Sequence, residues 1–341
     1  MDMITLLNTI RSNATTNYQD RVPVATQGNI DTIQAIMVGD DPVIANEFMS
    51  TLLNKIVKSV LISKSFQNPM KALKKGTKPL GDTVEEVYNN FIKGEAFDGQ
   101  GNTTALMGRK LPDTKTVYHR LNRKDKYTIT VSPEQLAKAF SSYDALSSYV
   151  ANLINVLYNS AELDEFILTK QLIKTALDKN AVKVVDVADP LTSKENAQEF
   201  IKAVKTVSGL MVFPSDAYNG YLTAQSKDKT PITTFSKKNE QVLILDTATD
   251  VSVSVDVLAS IFNMSVAEFN DTKKIVIDAF PDANIRAALV DEQFFQIFDD
   301  AMFIKSFDNG ESVYTNYFLH VWQTLAYSIL VNAVVFKVAT P

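Results

Sequence analysis

A long run of helical periodicity constrains this chain more than any other feature. Leu146, Val150, Leu153, Leu157, Leu163, Ile167, Leu172, Ile173 and Leu177 recur at three- and four-residue steps and their multiples. Ser141, followed three residues later by Asp144, resembles a capping box at the start of that run. Unbroken to Asp178, the helix would extend ~55 Å at ~1.5 Å per residue, more than the width of a small globule. The chain must therefore either layer itself around a spine or break the helix near Asn159-Ser160.

The rest of the composition removes most chemistry. The chain has 341 residues, 45% hydrophobic and 21% charged, which suits a folded protein of one large domain or two to three modest ones. It has no cysteine, so disulfides, thiolate nucleophiles, zinc–thiolate clusters and iron–sulfur ligation are excluded. His119 and His320 are the only histidines, so a three-histidine metal site is impossible. Glycine numbers only 11, and no phosphate-cradling glycine motif, nucleophile elbow or H-E-x-x-H is present. A formal net charge of -5 argues against tight binding to nucleic acid by the chain as a whole. The N-terminus does not read as a secretory signal, and the apolar region Leu325 to Phe336 is too short to span a bilayer, so a cytoplasmic setting without a membrane partner is expected.

Along the chain, the first thirty or so residues are polar and rich in Asn and Thr, and read as an extended arm. Asp41-Pro42 opens a helix with Phe48, Leu52, Leu53, Ile56, Val57 and Val60 on one stripe. The runs Thr116 to Leu121 and Tyr127 to Val131, separated by Asn122 to Lys126, read as a hairpin, and the stretch Phe97 to Lys110, with Gly99, Gly101 and Gly108, reads as a flexible tip. After Asn180 a mixed block follows: strands at Val182 to Val187, Val242 to Leu245 and Lys274 to Ile277, with helices at Glu195 to Val207 and Asp256 to Phe262. Strand-like runs close the chain at Ala287 to Val290, Met302 to Ile304, Tyr314 to Val321 and Ala333 to Val338. The class is α+β, with no internal repeat.

Acid doublets at Glu85-Glu86, Asp291-Glu292 and Asp299-Asp300 would suit a carboxylate-dependent hydrolase if two carboxyls converged, but neighbours in sequence rarely do, and solvated or ion-paired surface is the simpler reading. A strand through Tyr314 to Trp322 puts Phe318, His320 and Trp322 on one face, and His320 is expected to be a buried structural residue. No catalytic, cofactor-binding or metal-ligating residue is assigned. Basic residues cluster in the first third, and Lys110, Lys115, Arg120, Arg123, Lys124 and Lys126 form an expected electropositive projection that docks on another subunit.

Several segments, taken in order, resemble the major capsid proteins of phi29-like tailed phages of Gram-positive bacteria. They are Asn68 to Gly76 with Pro79-Leu80-Gly81, Thr83 to Tyr88, Tyr158 to Glu165, Asp256 to Ala259 with Phe262-Asn263-Met264, Tyr314 to Tyr317, His320 to Thr324, and Asn332 to Phe336. The resemblance implies a Hong Kong 97-like capsid fold. Its parts would be an N-terminal arm (1–40), a helix and connection (41–79), an extended β-hairpin loop (80–135), a peripheral domain with a spine helix (136–179), an axial domain (180–288) and closing peripheral strands (289–341). It also implies a non-enzymatic shell protein, assembled in a host bacterial cytoplasm as pentamers and hexamers of identical subunits into an icosahedral or elongated virion head. Its implied partners are a scaffolding protein, a portal protein and, through weak contact, packaged double-stranded DNA. The immunoglobulin-like module appended in some relatives is not expected here. An encapsulin-like nanocompartment shell is the alternative with the same fold, and a cytoplasmic hydrolase the alternative of another class.

Overall fold

A computed structural model describes residues 3–38, 42–59, 66–94, 96, 111–132, 143–224, 230–253, 274–310 and 314–339. The chain divides into two compact units, each discontinuous in sequence. Unit 1 comprises Met1–Asn68, Asn122–Glu165 and Asp299–Gln323; unit 2 comprises Pro69–Leu121, Phe166–Phe298 and Thr324–Pro341. The segments Phe97 to Lys110 and Asp256 to Phe262 and the N-cap Asp41 lie outside the described residues, as does Ser141.

Unit 1 begins with helices α1 (Met3–Asn13), α2 (Thr16–Arg21), α3 (Ile30–Val38) and α4 (Pro42–Ser59). The N-terminal residues are thus helical and packed, not an extended arm. Ile4, Leu7 and Ile10 fall at three-residue steps on one side of α1 and meet Tyr18, Val22, Ile33, Met37, Ile44 and Phe48 in one core. The turns between these helices are held by side chains. Asn8 donates to the Ala25 carbonyl at 3.0 Å and accepts from the Ala25 amide at 2.7 Å, and Arg11 donates to the carbonyls of Val22 and Gln19 at 2.7 Å each. Thr15 caps α2 by accepting from the Tyr18 amide.

The same core is closed by strand β4 (Arg123–Val131), which pairs antiparallel with β10 (Tyr314–Tyr327) from Thr315↔Val131 to Gln323↔Arg123. Strand β9 (Phe295–Asn309) lies on the other side of β10. Alternation is strict here: Tyr317, Leu319 and Val321 are buried, while Phe318, His320 and Trp322 are only half-buried on the opposite face. His320 is therefore not the buried histidine expected. It stands on the open side of the sheet, stacked on Phe303 with ring centroids 4.9 Å apart.

Helix α5 (Tyr143–Asp178) is one unbroken helix of 36 residues. Asn159-Ser160 does not interrupt it; the Ser160 hydroxyl donates to the Val156 carbonyl one turn back. Its buried edge runs through Tyr158, Ala161, Glu165, Thr169, Ile173 and Ala176, at steps of three and four, whereas Leu163 and Ile167 are exposed. The helix stops at Asn180, whose φ of 52° suits a left-handed cap, with the Ala181 amide donating to the Ala176 carbonyl at 2.7 Å.

Unit 2 is built on a five-stranded sheet. Strands β5 (Lys183–Val187), β6 (Gln241–Asp246), β7 (Lys274–Ile277), β8 (Ile285–Asp291) and β11 (Ala333–Val338) take the order β5-β11-β8-β6-β7. β11 is parallel to β5 and antiparallel to β8, and β6 is antiparallel to β8 and parallel to β7. One face packs on helix α6 (Lys194–Leu210) through Phe200, Val204 and Val207 against Leu243, Leu289, Val334 and Phe336. The other packs Val242, Ile244, Ala288, Val290 and Val335 with Phe166, Ile173 and Ala176 of α5. Covered on both sides, the middle strands are apolar without alternation, which is why they read as continuous runs in the sequence. Because β11 lies between β5 and β8, the closing strands do not stay together as one block.

Helices α7 (Tyr221–Ala224) and α8 (Thr247–Ser252) complete the α-helices of unit 2 among the described residues. Just before α7, Gly220 lies so close to the end of α5 that a Cβ there would fall 2.0 Å from the Ala181 carbonyl oxygen. The short strand β1 (Gly76–Thr77) runs beside β9, with the Lys75 amide donating to the Ile297 carbonyl at 2.9 Å.

The hairpin of unit 2 differs from the expected one. Strand β3 (Thr114–His119) pairs with β2 (Val84–Asn89), from Val84↔His119 to Asn89↔Thr114, and not with β4. The stretch Asn122 to Lys126 is no turn: most of it is already strand, paired with β10. Sequence shows which residues are extended, but the partner is chosen by burial. The Arg123, Tyr127, Ile129 and Val131 side of β4 is covered only when it lies against β10.

Candidate functional site

Among the described residues no group of histidine or acidic side chains could hold a metal ion, and no helix is long and apolar enough to cross a membrane. Glu85-Glu86 and Asp299-Asp300 do not form convergent pairs, because neighbours on a strand point to opposite faces, and Glu292 lies in the turn just past the end of β8. Glu86 points inward, 3.0 Å from His119 Nε2 and accepting from the Ser328 hydroxyl, while Glu85 lies outward beside Tyr118. Asp291 is buried, accepting from the Ser236 hydroxyl and the Gln293 amide; burial holds its pKa above the usual carboxylate range. Asp299 accepts from Gln323 at 2.8 Å. These are structural contacts, so the surfaces are what remain to be assigned.

The first surface is the β2–β3 hairpin. Its inner face is stapled to unit 2: Tyr88 and Val117 join the apolar core, the Tyr88 hydroxyl donates to the Thr233 carbonyl, and Asn90 donates to the Pro231 carbonyl at 3.0 Å while accepting from the Thr233 amide at 3.1 Å. Its outer face carries Val87 and Tyr118, 52% and 59% exposed, and just beyond the strand ends Ile92 and Leu111 are 79% and 78% exposed. Bare apolar residues on a two-stranded ribbon mark a surface suited to a partner.

The six basic residues expected to form a single projection separate into different roles. Lys110 lies outside the described residues. Lys115 is buried, its Nζ 2.8 Å from Asp113 and 5.8 Å from the centroid of the Tyr221 ring, and anchors the hairpin to its own unit. Arg120 is exposed at the end of β3. Arg123 is 4% exposed and holds unit 1 together: it donates to Asp125, Gln323, the Tyr127 hydroxyl and the Ala161 carbonyl. Burial opposes its charge, but Asp125 and Tyr127 more than offset that and raise its pKa above the ordinary arginine value. Lys115 and Arg123, expected on an electropositive projection that docks on another subunit, are instead buried and enclosed by partners of their own units. Lys124 and Lys126 are exposed on the open face of the unit 1 sheet, 5.1 Å from the ring centroids of Trp322 and Phe318 respectively.

A model of the Phi29-like phage major capsid protein family matches residues 7–337. The chain belongs to that family. It is 33% identical over 331 residues to the major capsid protein of Bacillus phage B103, which covers 97% of this chain and 72% of that protein. It is also 33% identical over 297 residues to the major capsid protein of Bacillus phage GA-1, covering 87% of this chain and 61% of that protein. Among solved structures, a chain of the Staphylococcus phage Andhra capsid superposes with a TM-score of 0.63 at 15% identity, over 82% of this chain and 86% of its own. A chain of the capsid of cyanophage P-SCSP1u gives 0.52 at 8% identity, over 82% and 91%. The Hong Kong 97-like capsid fold implied by the sequence resemblance is the fold of this chain, and the family is a structural one. The relatives are phage capsid proteins, which favours the capsid reading over the encapsulin-like alternative.

Sequence alternation places His320 and Trp322 on one face but does not bring Phe303 beside them. Phe303 stacks on His320 and meets Trp322 edge-on at 5.3 Å. The alternation in Tyr314 to Trp322 marks one strand of this face, but nothing local to Phe303 signals that β9 lies beside β10.

Proposed function

We propose that this chain is the shell-forming subunit of a tailed-phage head. Identical copies assemble as pentamers and hexamers into an icosahedral or elongated shell around double-stranded DNA, in the host bacterial cytoplasm. A scaffolding protein takes part during assembly, and a portal occupies one vertex. In this reading the β2–β3 hairpin with the residues it brackets is the extended loop that lies over a neighbour. The five-stranded sheet with α6 forms most of the axial part, and unit 1 with α5 most of the peripheral part.

Family membership carries the proposal, and the exposed Val87, Ile92, Leu111 and Tyr118 of the hairpin support it, because they leave apolar surface for a neighbour to cover. Electron microscopy of the purified protein, alone and with a candidate scaffolding protein, after light scattering, tests it. Closed shells, tubes or five- and six-membered rings are expected. A monodisperse 37.8 kDa monomer under both conditions would overturn the proposal.

A further inference from the structure

The open face of the unit 1 sheet has a composition unlike the chain as a whole. β4 contributes Lys124, Lys126, Thr128 and Thr130, and β10 contributes Asn316, Phe318, His320 and Trp322, registered so that His320 faces Lys126 and Trp322 faces Lys124. β9 adds Phe303, in contact with His320 and Trp322, and strand alternation places Lys305 and Phe307 on the same side. No carboxylate stands among these residues, although the chain carries a net charge of -5. Among the described residues, Lys124 and Lys126 rest over rings and none of Lys124, Lys126 and Lys305 forms an ion pair with an acid. Phe307 is 64% exposed.

We propose that this lysine- and aromatic-bearing sheet face contacts the phosphate backbone of nucleic acid. The identity of that polyanion as packaged duplex DNA rests on the shell reading above; the affinity for phosphate does not. Unneutralised cations over rings are poised for it: an ammonium held by a ring quadrupole is only weakly committed and can turn to a phosphate oxygen. Lys124 and Lys126 are two residues apart on one strand, so their stems are ~7 Å apart, a spacing that lets them engage different phosphates. Together with the exposed Lys305 they make three cations, which give weak, salt-sensitive contact without base readout, in keeping with a wall that must hold its contents without arresting them during filling.

Trp322 is the only tryptophan in the chain, so its fluorescence reports on this face alone. The test is a titration of the full chain, at a concentration where light scattering shows dissociated subunits, with a 30-base-pair duplex of arbitrary sequence. Expected is a change in Trp322 emission at 50 mM salt. Three phosphate contacts predict a salt slope near −2.7, so affinity falls about 40-fold by 200 mM. The variant Lys124→Gln/Lys126→Gln/Lys305→Gln, whose melting temperature should match the parent's, loses most of that slope. The control Lys183→Gln/Lys194→Gln/Lys202→Gln, at exposed lysines of unit 2, keeps it. Emission unmoved by duplex at 50 mM, or a triple variant with the parental slope, overturns the proposal. So does emission that follows protein concentration and not duplex, which would mean that a second copy covers the face. Shells formed by a protein that fails this titration would leave the shell reading intact, whereas a protein that passes it and forms no assembly under the microscope would sink the shell reading and leave the phosphate face.

Discussion

Replacing Arg123 by methionine separates a structural cation from an interface one. The guanidinium is enclosed in unit 1, donating to Asp125, Gln323, Tyr127 and the Ala161 carbonyl, and Tyr127 in turn donates to Asp164 at 2.6 Å. Methionine fills much of the stem's volume but strands the Gln323 oxygen and one side of Tyr127. Removing one member of a buried charged network costs about 3–5 kcal/mol. Unit 1 has roughly 140 residues, which at ~2.1 cal/mol/K each gives an unfolding entropy near 0.3 kcal/mol/K. The melting temperature of that unit should therefore fall by on the order of 10–17 °C. Scanning calorimetry of Arg123→Met beside Arg120→Met measures it, the second variant being an exposed control expected to stay near the parent. An Arg123→Met protein that melts within about 2 °C of the parent yet fails to assemble would refute this reasoning and return Arg123 to the docking surface.

Gly220→Ala should destabilise unit 2 by at least about 1–3 kcal/mol in a urea titration, because the added methyl meets the Ala181 carbonyl, which is backbone and cannot rotate away. Asp291 has a folded pKa raised by burial, so it opposes folding at neutral pH; the parent should lose stability as pH rises from about 4 through the folded value, and Asp291→Asn should lack that slope and be at least as stable at pH 7. Replacing residues 94–110 by a short Gly-rich turn, which the Asn89↔Thr114 pairing leaves room to close, should keep the calorimetric transitions and abolish closed shells under the microscope; normal shells would remove the loop from the assembly role.

What was legible in the sequence follows from how each segment is covered. β6, β8 and β11 lie in the middle of a sheet packed on both faces, so their apolar runs are nearly uninterrupted and their positions stand out, β11 to the residue. α5 was legible as a length and not as a face: its buried edge includes Glu165, Thr169 and Lys170, which a hydrophobic stripe passes over, and Lys170 is held there by Asp278 at 2.6 Å. α1 to α3 are too short for Ile4, Leu7 and Ile10 to rise above their Asn and Thr neighbours. The pairing of β4 with β10 joins residues almost two hundred positions apart, and only the assembled register shows that Arg123 faces inward while Lys124 faces out. Alternation was visible; which parity met the core was not.

The place of β11 also has a bearing on when the protein can fold during synthesis. β5 is among the first strands of its sheet to leave the ribosome, yet its partner is β11, with Lys183 aligned to Val334. Between them the chain supplies α6 and the other three strands, so until residue 338 emerges β8 lacks one of its two neighbours and β5 has no partner in the sheet. Pairing across roughly 150 residues closes late. A nascent subunit therefore has no finished five-stranded sheet to offer a neighbour. While residues 333–338 are still unmade, incomplete chains lying close together on one polysome have no complete sheet to present to one another.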